Sequence, residues 1–206
     1  MTRLLVLLLS LLLMACSHAQ QHAAVPAGAT VLVLGDSISY GTGANAGEDY
    51  PTLLAAKTGW NIINAGVPGD TTEMGLARLP ELLEANSPKL VLVELGGNDF
   101  LHHVPRARTT ANLQKTLAMI RAKQIPSVML AIPKVSLLGA AVGKLSDDPM
   151  FVELGKETDT PVISDELSSI LGQNDLKSDQ VHPNALGYQK LAEALTENLK
   201  AQGFLR

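Results

Sequence analysis

One cysteine, Cys16, stands in 206 residues, so no disulfide can form within the chain and the fold must rest on its core. Aromatic residues are scarce, at 3% of the sequence, which leaves little on which to stack nucleic-acid bases. Positive charge is not in surplus. Sixteen Lys and Arg stand against twenty Asp and Glu, a net charge of −4, so the electrostatic footprint of a nucleic-acid partner is missing. No apolar run reaches the roughly 20 residues that cross a bilayer as a helix. No repeat or linker divides the chain, and its length suits a single domain with one core. Several signatures are missing too. Gly41-Thr42-Gly43-Ala44-Asn45-Ala46-Gly47 lacks the Gly-Lys-Ser/Thr of a phosphate loop and reads instead as a mobile loop beside Ser37. His102-His103 has no metal-ligand spacing around it, and no metal or other cofactor is expected. Glu73, Glu81 and Glu84 fall at helical spacing and read as a solvated face.

What is present begins at the N-terminus. After Thr2-Arg3, the segment Leu4–Ala15 is almost unbroken apolar sequence, of signal-peptide length and too short to span a bilayer. It ends in Leu13-Met14-Ala15-Cys16, followed by Ser17. This resembles a bacterial lipoprotein signal, in which the cysteine is lipidated and becomes the new N-terminus. A plain secretory signal cut nearby is the alternative. The expected organisation is therefore a removed signal over 1–15, a lipidated Cys16 with a flexible tether to residue 28, and a single folded domain over 29–206. Such a protein is exported and held at the bacterial cell envelope by its anchor, with no protein partner required.

Short apolar runs then alternate with helical patterns. Val31–Leu34, Trp60–Ile63, Leu90–Glu94, Val128–Ile132 and the weaker Pro161–Ile163 read as strands buried on both faces, as in a parallel sheet. Tyr50–Thr58, Asp70–Ala85, Thr109–Lys123 and Asn184–Lys200 read as helices, with Asp70, Thr109 or Thr110, and Asn184 or Pro183 at their starts. Strand and helix in alternation give a three-layer α/β domain. Ligands of such sheets bind outside the carboxyl ends of the strands. Ser37, Gly66 and Asn98 each follow a strand, and Asp179 and His182 precede the last helix, so five residues from four segments should share one rim.

Together they make a hydrolytic set. A serine hydroxyl is a weak nucleophile until an imidazole takes its proton, and an imidazole's unperturbed pKa lies near neutrality. His182 can fill that role for Ser37, while Asp179, three residues earlier, can reach the other ring nitrogen and hold the tautomer. Pro183 restricts His182 to extended backbone. The oxyanion formed by attack on a carbonyl needs fixed donors, for which Ser37 N–H, Gly66 N–H and the Asn98 amide are the candidates. Gly96 and Gly97 give the chain room to turn Asn98 inwards.

Four blocks in order, Gly35–Ser39, Asn64–Asp70, Gly96–Asp99 and Asp179–Pro183, resemble those of the SGNH, or GDSL, hydrolases. Gly69–Pro80 and Leu92–Asp99 extend the likeness towards the arylesterase and thioesterase–lysophospholipase branch. The resemblance implies a three-layer α/β/α fold with a flavodoxin-like, mostly parallel five-stranded sheet. It also implies a Ser37–His182–Asp179 triad, an oxyanion hole from Ser37, Gly66 and Asn98, and no cofactor. The expected activity is hydrolysis of carboxylic esters through an acyl-enzyme, on aryl or short-to-medium acyl esters, lysophospholipids or thioesters. Pro133–Lys144 departs from that branch and reads either as a pocket wall or lid, or as a surface helix. Two other functions remain open: removal of O-acetyl groups from envelope glycans, and a surface lipoprotein that binds without catalysis.

Overall fold

The computed structural model describes residues 23–134 and 145–206. The signal segment, Cys16 and most of Pro133–Lys144 therefore lie outside the described residues. Five parallel strands, β1 (Thr30–Gly35), β2 (Asn61–Gly66), β3 (Leu90–Glu94), β4 (Ser127–Leu130) and β5 (Val162–Ile163), form one sheet in the order β2-β1-β3-β4-β5. Each strand is joined to the next by helix, because parallel neighbours need a crossover. The helices are α1 (Ser37–Tyr40), α2 (Tyr50–Thr58), α3 (Thr72–Asn86), α4 (Gly97–Leu101), α5 (Arg106–Ala122), α6 (Met150–Thr158), α7 (Glu166–Leu171) and α8 (Ala185–Ala201). Helix α8 packs on α2 and α7, and α5 packs on α3 and α6, which gives the expected three layers.

The continuous apolar runs serve the middle of the sheet. Val31, Leu32, Val33 and Leu34 of β1 and Leu90–Val93 of β3 are buried, sandwiched by Leu79 and Leu83 of α3, Leu113 and Leu117 of α5, and Leu191 and Leu195 of α8. Strand β2 differs from the expectation. It lies at the sheet edge, with Asn61 and Asn64 exposed and the rest half-buried, so only one side of its ladder is paired.

Local chemistry sets the helix ends. Asp49 caps α2 by accepting Thr52 N–H at 2.9 Å, and Asn184 caps α8 by accepting Gly187 N–H at 3.0 Å. The cap of α3 is Thr71 rather than Asp70, because the Asp70 carboxylate is committed to Arg78 Nε at 2.6 Å. Helix α5 begins at Arg106, just after Pro105, so Thr109 lies inside it and donates to the buried Asp99 at 3.2 Å. The later part of the segment 16–28, expected as a flexible tether, is docked on the domain instead. Val25 is buried, its N–H donates to Phe204 O at 2.9 Å, and its carbonyl accepts Trp60 Nε1–H at 3.1 Å. Gly28 N–H donates to Gly59 O at 2.7 Å, so the chain is already docked on the domain before β1 begins.

Candidate active site

Strand β1 ends in Gly35, and Asp36 turns the chain by accepting Ile38 N–H on Oδ1 at 3.0 Å. That contact caps α1 and places Ser37 at its first position, half-buried, with an N–H that has no partner within the helix. His182 comes from the other end of the chain, in the loop before α8. Ser178 N–H donates to His182 O at 2.9 Å, and Asn184 N–H donates to Leu176 O at 2.9 Å. Asn184 Nδ2 adds a bond to Asp175 O at 2.8 Å. The loop is thus stapled on both sides of the histidine.

The three expected side chains meet. His182 Nε2 lies 3.0 Å from Ser37 Oγ, and His182 Nδ1 lies 2.7 Å from Asp179 Oδ2. Asp179 Oδ1 accepts Val181 N–H at 2.8 Å and His182 N–H at 2.9 Å, so the carboxylate is anchored by the turn it orients. Burial alone would raise its pKa, but the bonds from the His182 ring and from the two backbone N–H groups outweigh it and hold the carboxyl below its ordinary value.

The oxyanion candidates divide. Asn98 stands at the start of α4, after Gly96, whose φ of 125° belongs to glycine. Both hydrogens of its amide are engaged at 3.0 Å, one by Asp36 Oδ2 and one by Asp70 O, so donation to a substrate oxygen takes one of them. Gly66 does not fit the role expected of it. Its N–H donates to Asn64 Oδ1 at 3.0 Å, it does not line the cleft, and a Cβ there would collide with Tyr40 N. Gly66 is instead the glycine that lets β2 and α1 pack. Gly69 lines the cleft beside Ser37 and Asn98, with φ of 87° and open space where a Cβ would stand. Both glycines lie in one sequence block. The Pro68-Gly69 turn signal is what could have singled out the second, since a turn beyond the strand end projects towards the rim.

The cleft has a volume of about 390 Å³. Its lining is mostly apolar and includes Pro68, Leu101, Ile132, Leu145, Leu171 and Val181, around the polar Ser37, Asn98 and His182, as suits an ester with a hydrocarbon side. Ile132 and Leu145, both from the connection between β4 and α6, and Leu171, at the end of α7, were not foreseen as lining, because they lie outside the four sequence blocks. The Gly41–Gly47 segment is tied down rather than loose: Gly41 and Thr42 N–H donate to Ser37 O, and Tyr188 Oη–H donates to Thr42 O at 2.8 Å. His102 and His103 are exposed. Among the described residues no group of three or more His, Cys, Asp or Glu is placed to hold a metal ion.

Known proteins are similar to this chain. The arylesterase of Vibrio mimicus is 32% identical over 198 residues, covering 93% of this chain and 96% of that protein. The Escherichia coli K12 protein named thioesterase 1/protease 1/lysophospholipase L1 is 32% identical over 176 residues, covering 83% of each. The crystal structure of the esterase EstA from Pseudoalteromonas sp., inhibited by monoethylphosphonate, superposes with a TM-score of 0.72 at 26% identity, over 84% of this chain and 97% of that one. Residues 33–190 match the family described as GDSL-like Lipase/Acylhydrolase, and the chain belongs to that family.

Proposed function

We propose that the protein is a serine ester hydrolase. The observation that carries this reading is the continuous chain from Ser37 Oγ through His182 to Asp179, with steps of 3.0 and 2.7 Å. Ser37 Oγ attacks the acyl carbon while His182 Nε2 takes its proton, and the carbonyl oxygen becomes an oxyanion. Ser37 N–H, Gly69 N–H and the Asn98 amide receive that charge. Collapse expels the alcohol, which takes the proton from His182 and leaves an acyl-serine. Water, deprotonated by His182, then releases the acid and restores the hydroxyl. The cleft of about 390 Å³ suits short-to-medium acyl or aryl esters. Its similarity to proteins named arylesterase and thioesterase/lysophospholipase supports the same class.

The test is hydrolysis of p-nitrophenyl esters of increasing chain length by the wild type and by Ser37→Ala. The expected result is a chain-length optimum, with a loss on the order of 10⁴–10⁶ in kcat for the variant. Equal rates would refute the reading, and release of acetate alone from acetylated glycans would move it to the deacetylase.

We also propose that the mature chain begins at a lipidated Cys16 and sits at the bacterial envelope. The first docked residue, Val25, lies beside Phe204 and Trp60, at the end of the sheet where β1 and β2 start. Ser37 and Asn98 lie where strands end. An anchor leading from that end would turn the active site away from the membrane that holds it.

A further inference from the structure

Beneath the nucleophile lies a buried polar cluster that the triad does not use. Asp36, Ser39, Tyr50 and Glu94 are each at most 2% exposed. Glu94 Oε2 accepts Ser39 Oγ–H at 2.7 Å, Ser39 N–H at 3.2 Å and Asp36 N–H at 3.4 Å. Ser39 Oγ also meets Tyr50 Oη at 2.7 Å. Gly35 makes the room, since a Cβ there would overlap Ser39 Oγ and lie 2.8 Å from Glu94 Oε2. The other oxygen, Glu94 Oε1, is buried with no hydrogen-bond partner, and the Asp36 carboxyl is a near neighbour whose charge acts on Glu94. A carboxylate oxygen left bare in the interior is costly, and two neighbouring buried carboxylates disfavour each other's charge. One proton on Oε1, given to Asp36, removes both costs.

We propose that Glu94 is a positioning residue of this site: as a neutral carboxylic acid it donates from Oε1 to Asp36, and Asp36 so held aims the Asn98 amide at the oxyanion position. The kinetic part rests on the hydrolase reading, whereas the protonation of Glu94 does not. Asp36 is the hinge of the arrangement, with Oδ1 on Ile38 N–H and Oδ2 on Asn98 Nδ2. The surroundings agree. Burial first, and then the Asp36 charge, push the Glu94 carboxyl well above its ordinary value. Burial also pushes Asp36 up to about 6, with Asp70 adding to it and Ile38 N–H, His182 and Glu94 opposing. Tyr50 from α2 and Tyr188 from α8 face the pair, both raised by burial and then by Glu94, and so both neutral. Asp49 and Asp179 act on Tyr188 from further out. Arg78 donates to Gly35 O at 2.9 Å and is paired with Asp70.

Because the folded state holds the Glu94 proton more tightly than the unfolded one, this group's contribution to stability falls as pH rises above about 4.3 towards the folded value. Glutamine keeps the donor and cannot titrate. The experiment compares wild type, Glu94→Gln and Glu94→Ala by infrared spectroscopy, by melting from pH 5 to 9 and by kcat on p-nitrophenyl butyrate. In the wild type at pH 7, the carbonyl band of a buried neutral carboxylic acid is expected, and it should be missing from Glu94→Gln. The Tm of Glu94→Gln relative to wild type should rise with pH. Its kcat should stay within about threefold, while Glu94→Ala loses on the order of 10–100-fold in kcat with KM little changed.

No such band, with a pH-independent Tm difference and Glu94→Gln as impaired as Glu94→Ala, would establish an anionic Glu94 and overturn the proposal. Should Glu94→Ala fail to fold, the glutamine variant and the spectrum decide. If the wild type hydrolyses no ester, the hydrolase reading fails, while the spectrum and the melting series still decide the state of Glu94.

Discussion

Asp179 orients His182 although 52% of its own side chain faces solvent. It holds position through its backbone rather than through burial, since Oδ1 is taken by the N–H groups of Val181 and His182. Its lowered pKa keeps it ionised at neutral pH. A lowered carboxyl contributes stability above its unfolded value, about 3.9 for Asp, and that contribution is lost as pH falls through the folded value. At catalytic pH the anion is therefore intact. Replacing Asp179 with Asn gives the ring a partner that can donate as well as accept, which favours the wrong tautomer of His182. We expect kcat to fall on the order of 10³–10⁴ at every pH from 6 to 9, with Tm little altered. A loss below tenfold would show that the turn, without the charge, is enough to orient the ring. Ser37 and Asn98 were legible because each sits in a short block after a strand, and Asp179 and His182 because one block before the last helix holds both. The choice between Gly66 and Gly69 was not, since a backbone N–H is assigned by where the turn points it, and Asn64 has already taken that of Gly66.

Among the elements, the strands of the sheet centre read cleanly because burial on both faces forces Val31–Leu34 of β1 and Leu90–Val93 of β3 to be apolar. The sequence of β2 resembles theirs, yet its position at the edge exposes it, and edge or centre is decided by topology rather than by composition. Helix α2 spans the expected Tyr50–Thr58, and the structure adds Asp49 and Gly59 as its caps. The short helices α1, α4 and α7 carry too few residues for a helical period to emerge, although α1 and α4 present Ser37 and Asn98. Helix α5 starts earlier than its first threonines because Pro105 opens it, while Thr109 turns inward to Asp99. That carboxylate also accepts Thr72 N–H at 2.8 Å and Thr72 Oγ1–H at 2.6 Å. It thereby joins α3, α4 and α5 behind Asn98, a three-way contact between distant segments that no local pattern announces.

At the scale of the molecule, the sheet order places the carboxyl ends of β1 and β3 side by side, so Ser37 and Asn98 open onto one rim and His182 is brought to it by the loop before α8. The opposite rim receives the N-terminal segment at Val25. Between Cys16 and that residue the chain can extend no more than roughly 3.6 Å per residue, so the lipid proposed at Cys16 would keep the domain close to a bilayer. Growth of cells with labelled palmitate should label the wild-type protein and leave Cys16→Ser unlabelled. A label that survives in Cys16→Ser, or no label in either, would remove the anchor from this account.

The central claim, that Ser37 is the nucleophile, is tested most directly by inactivation with a p-nitrophenyl organophosphonate followed by mass spectrometry of the digested protein. The expected result is one phosphonyl group per chain, on the peptide that carries Ser37, released p-nitrophenol in equal amount, and no adduct on Ser37→Ala. Undiminished ester hydrolysis by protein that bears no adduct, or an adduct confined to another residue, would contradict it.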